Sequence, residues 1–242
     1  MIFLCFSGRD RFKIVTSILY HIENHGIKLW YDNHQYILGD KKAAKLTKSI
    51  KLSKYAIVII SKDFYNSHEA IKELEIIKRR YYRGLIHIFP IFYNITASEI
   101  DPKYLWLCNM IFNEVNDSSG TLLTCNQIVC KYYYDIICIN KYPSLDNWEN
   151  ILPRSSCFKY INNLLELYNS ISASNLNSKM SVLFCLVLYL KKYIGVDGDC
   201  LYKSANYLFN TTKLNLSYNF KEIKLLEQIN EILLGMLINK LQ

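Results

Sequence analysis

Glu69 and Glu73 stand four residues apart in Ser67-His-Glu-Ala-Ile-Lys-Glu73-Leu74. On a helix that spacing puts both carboxylates on one face, one turn apart. Like charges at that range disfavour each other's ionisation, so a second carboxylate at Glu69 is expected to raise the pKa of Glu73. A merely solvated helix glutamate commonly pairs with Lys or Arg one turn on, but that position after Glu73 is Ile77. Ser7-Gly8-Arg9 is a second polar constellation. It offers backbone donors at a helix start and a guanidinium that can hold an anion such as phosphate through two bonds. A surface ion pair with a nearby acid is an equal reading of Arg9. Other reactive residue types are dispersed. His21 and His25 lie four apart with no third ligand nearby, none of the eight cysteines forms CxxC, and no His stands at zinc-finger spacing from a Cys pair. No metal site is expected.

The elements that must position these residues alternate through the first 140 positions. Ile2–Phe6 is a short apolar strand opening into the Ser7–Arg11 loop. Ile14, Ile18 and Ile22 recur at helical spacing, and Gly26 closes that helix. Ile27–Tyr31 is a second strand, followed by the loop Asp32–Asp40 with its glycine at Gly39 and a helix marked by Ala43, Leu46 and Ile50. Tyr55–Ser61 is apolar nearly throughout, as a strand covered on both faces requires. Asn66 or Ser67 can cap a third helix with Ala70, Leu74, Ile77 and Tyr81 on its apolar face. Leu85–Tyr93 is a fourth strand; Pro90 removes a ladder donor and predicts a place at or near an edge. A fifth strand is predicted over 105–115, and a helix over 120–138 carrying Leu122, Ile128, Val129, Tyr132 and Ile136. This alternation implies βαβ units and a parallel sheet with right-handed crossovers. Ligands of such sheets bind outside the carboxyl ends of the strands, here the loops Ser7–Arg11, Asp32–Asp40 and Ser61–Ser67.

Composition narrows the field further. The chain has 242 residues, 51% of them hydrophobic, with only 8 Gly and 4 Pro, which excludes a disordered or collagen-like protein. The net charge of +8 is spread over both halves rather than gathered on one stripe, so a nucleic-acid binder is not expected. The tight basic run, Lys78–Arg83, reads as a solvated helix end where cations suit the dipole. The longest apolar run, Val182–Leu190, is about half of what a bilayer span needs, and the apolar start Met1–Phe6 is far shorter than a signal core. Free cysteines inside apolar stretches fit a reducing, cytoplasmic setting without a membrane partner.

These residues resemble a known family. Phe3-Leu-Cys-Phe-Ser-Gly-Arg-Asp10 is similar to the first strand and loop of Toll/interleukin-1 receptor (TIR) domains. Leu29-Trp-Tyr-Asp32 with Leu38-Gly39-Asp40 resembles the second strand and the long BB loop. Ile50–Ser61 resembles the passage into the third strand, and Phe89-Pro90-Ile91 the fourth strand with its proline. Ser67–Leu74 resembles the family's Ser-x-Trp-Cys-x-x-Glu-Leu, except that Glu69 stands for the Trp and Ala70 for the Cys. The resemblance spans about residues 1–140 and implies a flavodoxin-like sheet of five parallel strands.

Many members of that family cleave NAD⁺ at the nicotinamide–ribose bond with the glutamate of the third helix, which here is Glu73. The resemblance therefore implies an NAD⁺ glycohydrolase or cyclase yielding nicotinamide and ADP-ribose or a cyclic isomer. NAD⁺ is then substrate, with no cofactor required. Phe6, Ser7, Gly8, Arg9, Trp30, Asp32, Gly39 and Glu69 are the expected substrate-binding residues. Asp32 can reach a ribose hydroxyl or cap a turn, Trp30 can serve the core or the ligand, and Gly39 shapes the BB loop. Losing the Trp at position 69 removes an aromatic surface for nicotinamide, for which Phe6, Trp30 or Tyr65 can substitute. Other members act as adaptors or virulence mimics through TIR–TIR contacts, so the resemblance leaves a non-enzymatic reading open. The expected biological setting of the enzyme is anti-phage defence, by NAD⁺ depletion or by a signal to a downstream effector protein.

Residues 141–156 carry two prolines and read as a linker, and the strand signal ends there. Beyond it, Ile161, Leu164, Leu165 and Tyr168, then Val182–Ile194, then 200–209, then Leu226, Ile229, Leu233 and Leu237 mark four helices. The expected organisation is a TIR domain over 1–140 and a helical bundle over 157–242. The last helix, with Ile232–Ile238, reads equally as bundle core and as a self-association surface.

Overall fold

A computed structural model describes residues 1–31, 42–153, 158–212 and 218–241, apart from the side chains of 42–44, 149, 211 and 212. The chain divides into two compact units, one of Met1–Glu23 with Ile27–Cys125 and one of Asn24–Gly26 with Asn126–Gln242.

The first unit is a five-stranded parallel sheet in the order β2-β1-β3-β4-β5. Its strands are β1 Ile2–Cys5, β2 Leu29–Trp30, β3 Tyr55–Ile60, β4 His87–Tyr93 and β5 Asn113–Val115. All of β1, and β3 from Ala56 to Ile60, are buried, the pattern of strands covered on both faces. The helices of this unit are α1 Thr16–Asn24, α2 Lys42–Leu52 and α3 His68–Tyr81, and α4 Thr121–Asn140 begins in it. Ile18 and Ile22 of α1 and Ile50 of α2 are buried at the predicted spacing, whereas Ile14, read as the start of that helix, lies in a π turn over Arg11–Val15 that precedes α1.

Helix α3 carries the glutamate pair. Ser67 is its N-cap, with the side-chain oxygen accepting from Ala70 N at 3.4 Å. Ala70, Leu74 and Ile77 anchor it in the core, at about 1.5–3 kcal/mol for each large apolar side chain. The basic end is less solvated than its composition predicts, because the Arg80 guanidinium donates to the carbonyls of Lys51, Ser53 and Leu85 at 2.6, 3.0 and 2.9 Å.

Pro90 sits on the second strand from the edge. β5 pairs only with Ile91–Tyr93, so Pro90 lies in the half of β4 that has a strand on one side alone, where a missing donor is tolerated. Of the expected fifth strand over 105–115, residues 105–109 are helical instead and 113–115 alone form β5. Asp101 accepts from Lys103 N at 3.0 Å, and Pro102 starts a 3₁₀ helix that runs to Asn109, leaving three residues for β5.

The second unit is helical. After α4 come α5 Leu145–Ile151, α6 Lys159–Ser170, α7 Leu176–Ile194, α8 Asp199–Thr212 and α9 Phe220–Leu241. Helix α5 lies inside the stretch read as a linker, with Leu145 and Trp148 buried. In α6 the predicted face Ile161, Leu164, Leu165 and Tyr168 is the buried one. Helix α9 packs on α5, α7 and α8, and Ile232, Leu233, Leu234 and Leu237 are buried. Its apolar run is core, not a free self-association surface. Gly235 faces Tyr142 so closely that a Cβ there would collide with the ring. Among the described residues, no helix is long and apolar enough to cross a membrane.

Candidate functional site

Sheet order reverses at β1, between β2 and β3, the switch point at which ligands of open α/β sheets gather. A small pocket opens there, lined by Leu4, Phe6, Gly8, Trp30, Ser67, Glu69 and Glu73. The lining comes from the carboxyl ends of β1 and β2, the loop after β1, and the first two turns of α3.

Glu73 is 9% exposed, which for a carboxylate at the second turn of a helix is deep burial. Glu69 is exposed one turn nearer the helix start. Cys5 completes the surroundings of Glu73 from the core side. Its thiol donates to the Ala70 carbonyl at 3.5 Å, and its pKa is pushed well up by burial and then by the charge and hydrogen bond of Glu73. Cys5 is therefore a neutral S–H donor beside the carboxylate, not a nucleophile. Read along the chain it is one apolar residue among five; its partnership with Glu73 spans 68 positions and has no sequence signal.

Two aromatic residues line the pocket. Phe6 is buried, with the Arg11 guanidinium 5.5 Å from its ring centroid. Trp30 is 4% exposed and stacked on Phe3 at 4.9 Å, so it serves core and pocket together. Tyr65, the third residue expected to offer a stacking surface, is engaged elsewhere: it stacks on Tyr104 at 5.6 Å, and its hydroxyl accepts from Asp101 N at 3.3 Å.

The loop after β1 divides its roles. Gly8 reaches the pocket, with nothing within 4 Å of where a Cβ would stand. Ser7 is buried behind it and its carbonyl accepts from Asp10 N at 2.9 Å. Arg9 takes the ion-pair alternative, with Asp63 at 3.5 Å and its own side chain 74% exposed, and is not part of the lining. Asp32 and Gly39 lie outside the described residues. Among the described residues, no group of three or more His, Cys, Asp or Glu side chains could hold a metal ion.

A buried carboxylate beside a small aromatic-walled pocket can stabilise a cationic centre and accept hydrogen bonds from sugar hydroxyls. The comparisons with known proteins agree with the resemblance on this unit. Residues 1–103 match the family model described as the TIR domain, and the chain carries a TIR domain over those residues. Over 110 residues it is 27% identical to "NAD(+) hydrolase TcpA" of Theionarchaea archaeon (strain DG-70-1), covering 46% of this chain and 33% of that protein. It is 30% identical over 98 residues to "2' cyclic ADP-D-ribose synthase BtTIR" of Bacteroides thetaiotaomicron, covering 40% of this chain and 34% of that one. It is 34% identical over 100 residues to "TMV resistance protein N" of Nicotiana glutinosa, covering 41% of this chain and 9% of that protein. The match spans about a third of the archaeal and bacterial relatives and about a tenth of the plant one.

Proposed function

We propose that this chain cleaves the nicotinamide–ribose bond of NAD⁺, with Glu73 as the catalytic carboxylate. The observation that carries the reading is the burial of Glu73 in the wall of the pocket at the carboxyl ends of β1 and β2. Relatives named NAD(+) hydrolase and cyclic ADP-ribose synthase support it.

The chemistry asks for one carboxylate only. The leaving group is a cationic pyridinium, so nicotinamide departs neutral and no general acid is needed, unlike an ordinary glycosidase with its two carboxyls. Positive charge develops on the ribose, and an anionic Glu73 stabilises it where water is largely excluded. Phe6 and Trp30 supply flat apolar surface for the pyridinium ring, and Glu69 adds negative charge at the mouth. Capture of the cation by water gives ADP-ribose; capture by an atom of the same molecule gives a cyclic isomer. In a cell this would deplete NAD⁺ or send a signal to an effector in defence against phage, with copies brought together to act.

The test is incubation of the full chain with NAD⁺ at high protein concentration, with Glu73→Ala in parallel and products resolved by chromatography. Release of nicotinamide by wild type alone supports the reading, and the accompanying product separates hydrolysis from cyclisation. No consumption by either protein overturns it and favours an adaptor acting through TIR–TIR contacts.

A further inference from the structure

Two loops wall the Glu73 pocket, one following β1 and one joining β3 to α3, and a buried side-chain bond crosses between them. The Ser61 hydroxyl donates to Asp10 Oδ2 at 2.6 Å, with Ser61 3% and Asp10 1% exposed. Each partner also organises its own loop. Asp10 N closes the turn on Ser7 O at 2.9 Å, around Gly8. Ser61 Oγ and its carbonyl both accept from Phe64 N at 3.1 Å, and Ser67 N then donates to Phe64 O at 3.0 Å, leading directly into the cap of α3. An outer layer repeats the link: Asp63 accepts from Lys13 at 2.8 Å and from Arg9 at 3.5 Å. Lys13 Nζ also stands 4.0 Å from Asp10 Oδ1, a buried oxygen with no hydrogen-bond partner among the described residues.

The two layers differ in strength. Exposed ion pairs are weak and screened by salt. A hydroxyl–carboxylate bond out of water is short, directional and stronger. The inner bond is therefore the one able to set the distance between the loops.

We propose that Asp10, acting through Ser61, is a positioning residue that holds the Gly8 loop and the loop leading into α3 at a fixed spacing across the Glu73 pocket. Asp10 does not line the pocket, so its effect travels through the backbone of the two turns. Its kinetic consequence rests on the NAD⁺-cleaving reading; the tie between the loops does not. A wall displaced by about 1 Å costs about a hundredfold in a reaction that depends on orientation.

The experiment compares the full chain with Asp10→Ala, Ser61→Ala, Asp10→Asn and, for the outer layer, Asp63→Ala. Hydrogen exchange over 7–11 and 61–67 is measured beside kcat and KM for nicotinamide release. Asp10→Ala and Ser61→Ala are expected to raise exchange in both segments and to lower kcat by about ten- to a hundredfold. Asp10→Asn, which keeps an oxygen to accept from Ser61, rescues both readouts, and Asp63→Ala leaves both near wild type. Unchanged exchange in both alanine variants overturns the proposal whatever the activity. Raised exchange with unchanged kcat in an active enzyme overturns it also, since the loops are then tied without positioning the reaction. If wild type cleaves no NAD⁺ and exchange still rises in both loops, the functional reading falls and the tie stands. Should Asp10→Ala not fold, Ser61→Ala carries the same test with one hydroxyl removed.

Discussion

Replacing Glu73 by Gln removes one charge and keeps the shape of the side chain, so it isolates the electrostatic part of the proposed mechanism. A carboxylate about 4 Å from a unit positive charge is worth about 4 kcal/mol at an effective permittivity of about 20, and about 1 kcal/mol in bulk water. Glu73 is 9% exposed and stands beside the buried Cys5 thiol, so the partly excluded regime applies. About 4 kcal/mol is about a thousandfold in rate, against about fivefold for the bulk-water value. The amide oxygen of Gln can still accept from Cys5, and circular dichroism is expected to match wild type. The assay is nicotinamide release at saturating NAD⁺, followed by chromatography. A loss of about fivefold or less in a folded variant refutes the reasoning, because the carboxylate would then act as a solvated surface charge.

Further outcomes test the surroundings of the site and the helical unit. Glu69→Trp restores an aromatic wall at the pocket mouth and is expected to raise kcat/KM; no change would mean that Phe6 and Trp30 already supply the stacking surface. Ser67→Ala removes the cap of α3; its 3.4 Å bond is long, so the cost lies near the lower end of about 0.5–2 kcal/mol, read as a melting shift of about 1–2 °C. Glu231, whose Oε1 accepts from Leu145 N at 2.9 Å, has its pKa raised by burial, with Lys224 pulling it back. A raised folded pKa means that the ionised form costs stability at neutral pH and that the cost fades as pH falls through that value. Glu231→Gln, which keeps the acceptor, should therefore be more stable than wild type at about pH 7 and converge on it near pH 4, measured by urea midpoints. A difference independent of pH would contradict this. Gly235→Ala, which helix propensity alone predicts to stabilise by about 1 kcal/mol, is expected to destabilise by about 1–3 kcal/mol because its methyl meets the Tyr142 ring. Denaturant unfolding decides the sign.

Strands and helices were legible where apolar period and local capping coincided. β3 is apolar from Ala56 to Ile60 because both faces are covered, and α3 starts at Ser67 because its side chain bonds Ala70 N three residues on. Reading failed where a local bond competed with the pattern: the Asp101-Pro102 cap turned an apolar stretch into a 3₁₀ helix. It failed again where the face was narrow. In α4 Tyr133 and Ile137 are buried, one residue on from Tyr132 and Ile136, a shift of about 100° on the helix surface that alternating apolar residues cannot resolve.

Local patterning dictates that a parallel α/β sheet brings the loops after β1, β2 and β3 to one edge, and that Glu69 and Glu73 share a helix face. Both follow from periodicity and spacing within a few residues, which local backbone geometry enforces. Tertiary structure alone decided that Glu73 would be buried beside Cys5, that Trp30 would face both Phe3 and the pocket, and that Arg9 would turn to Asp63 instead of the pocket. It alone joined Asp10 to Ser61. These contacts link residues more than twenty positions apart. Their existence depends on how strands stack and which side chains lose water, and neither is written in the local pattern of the chain.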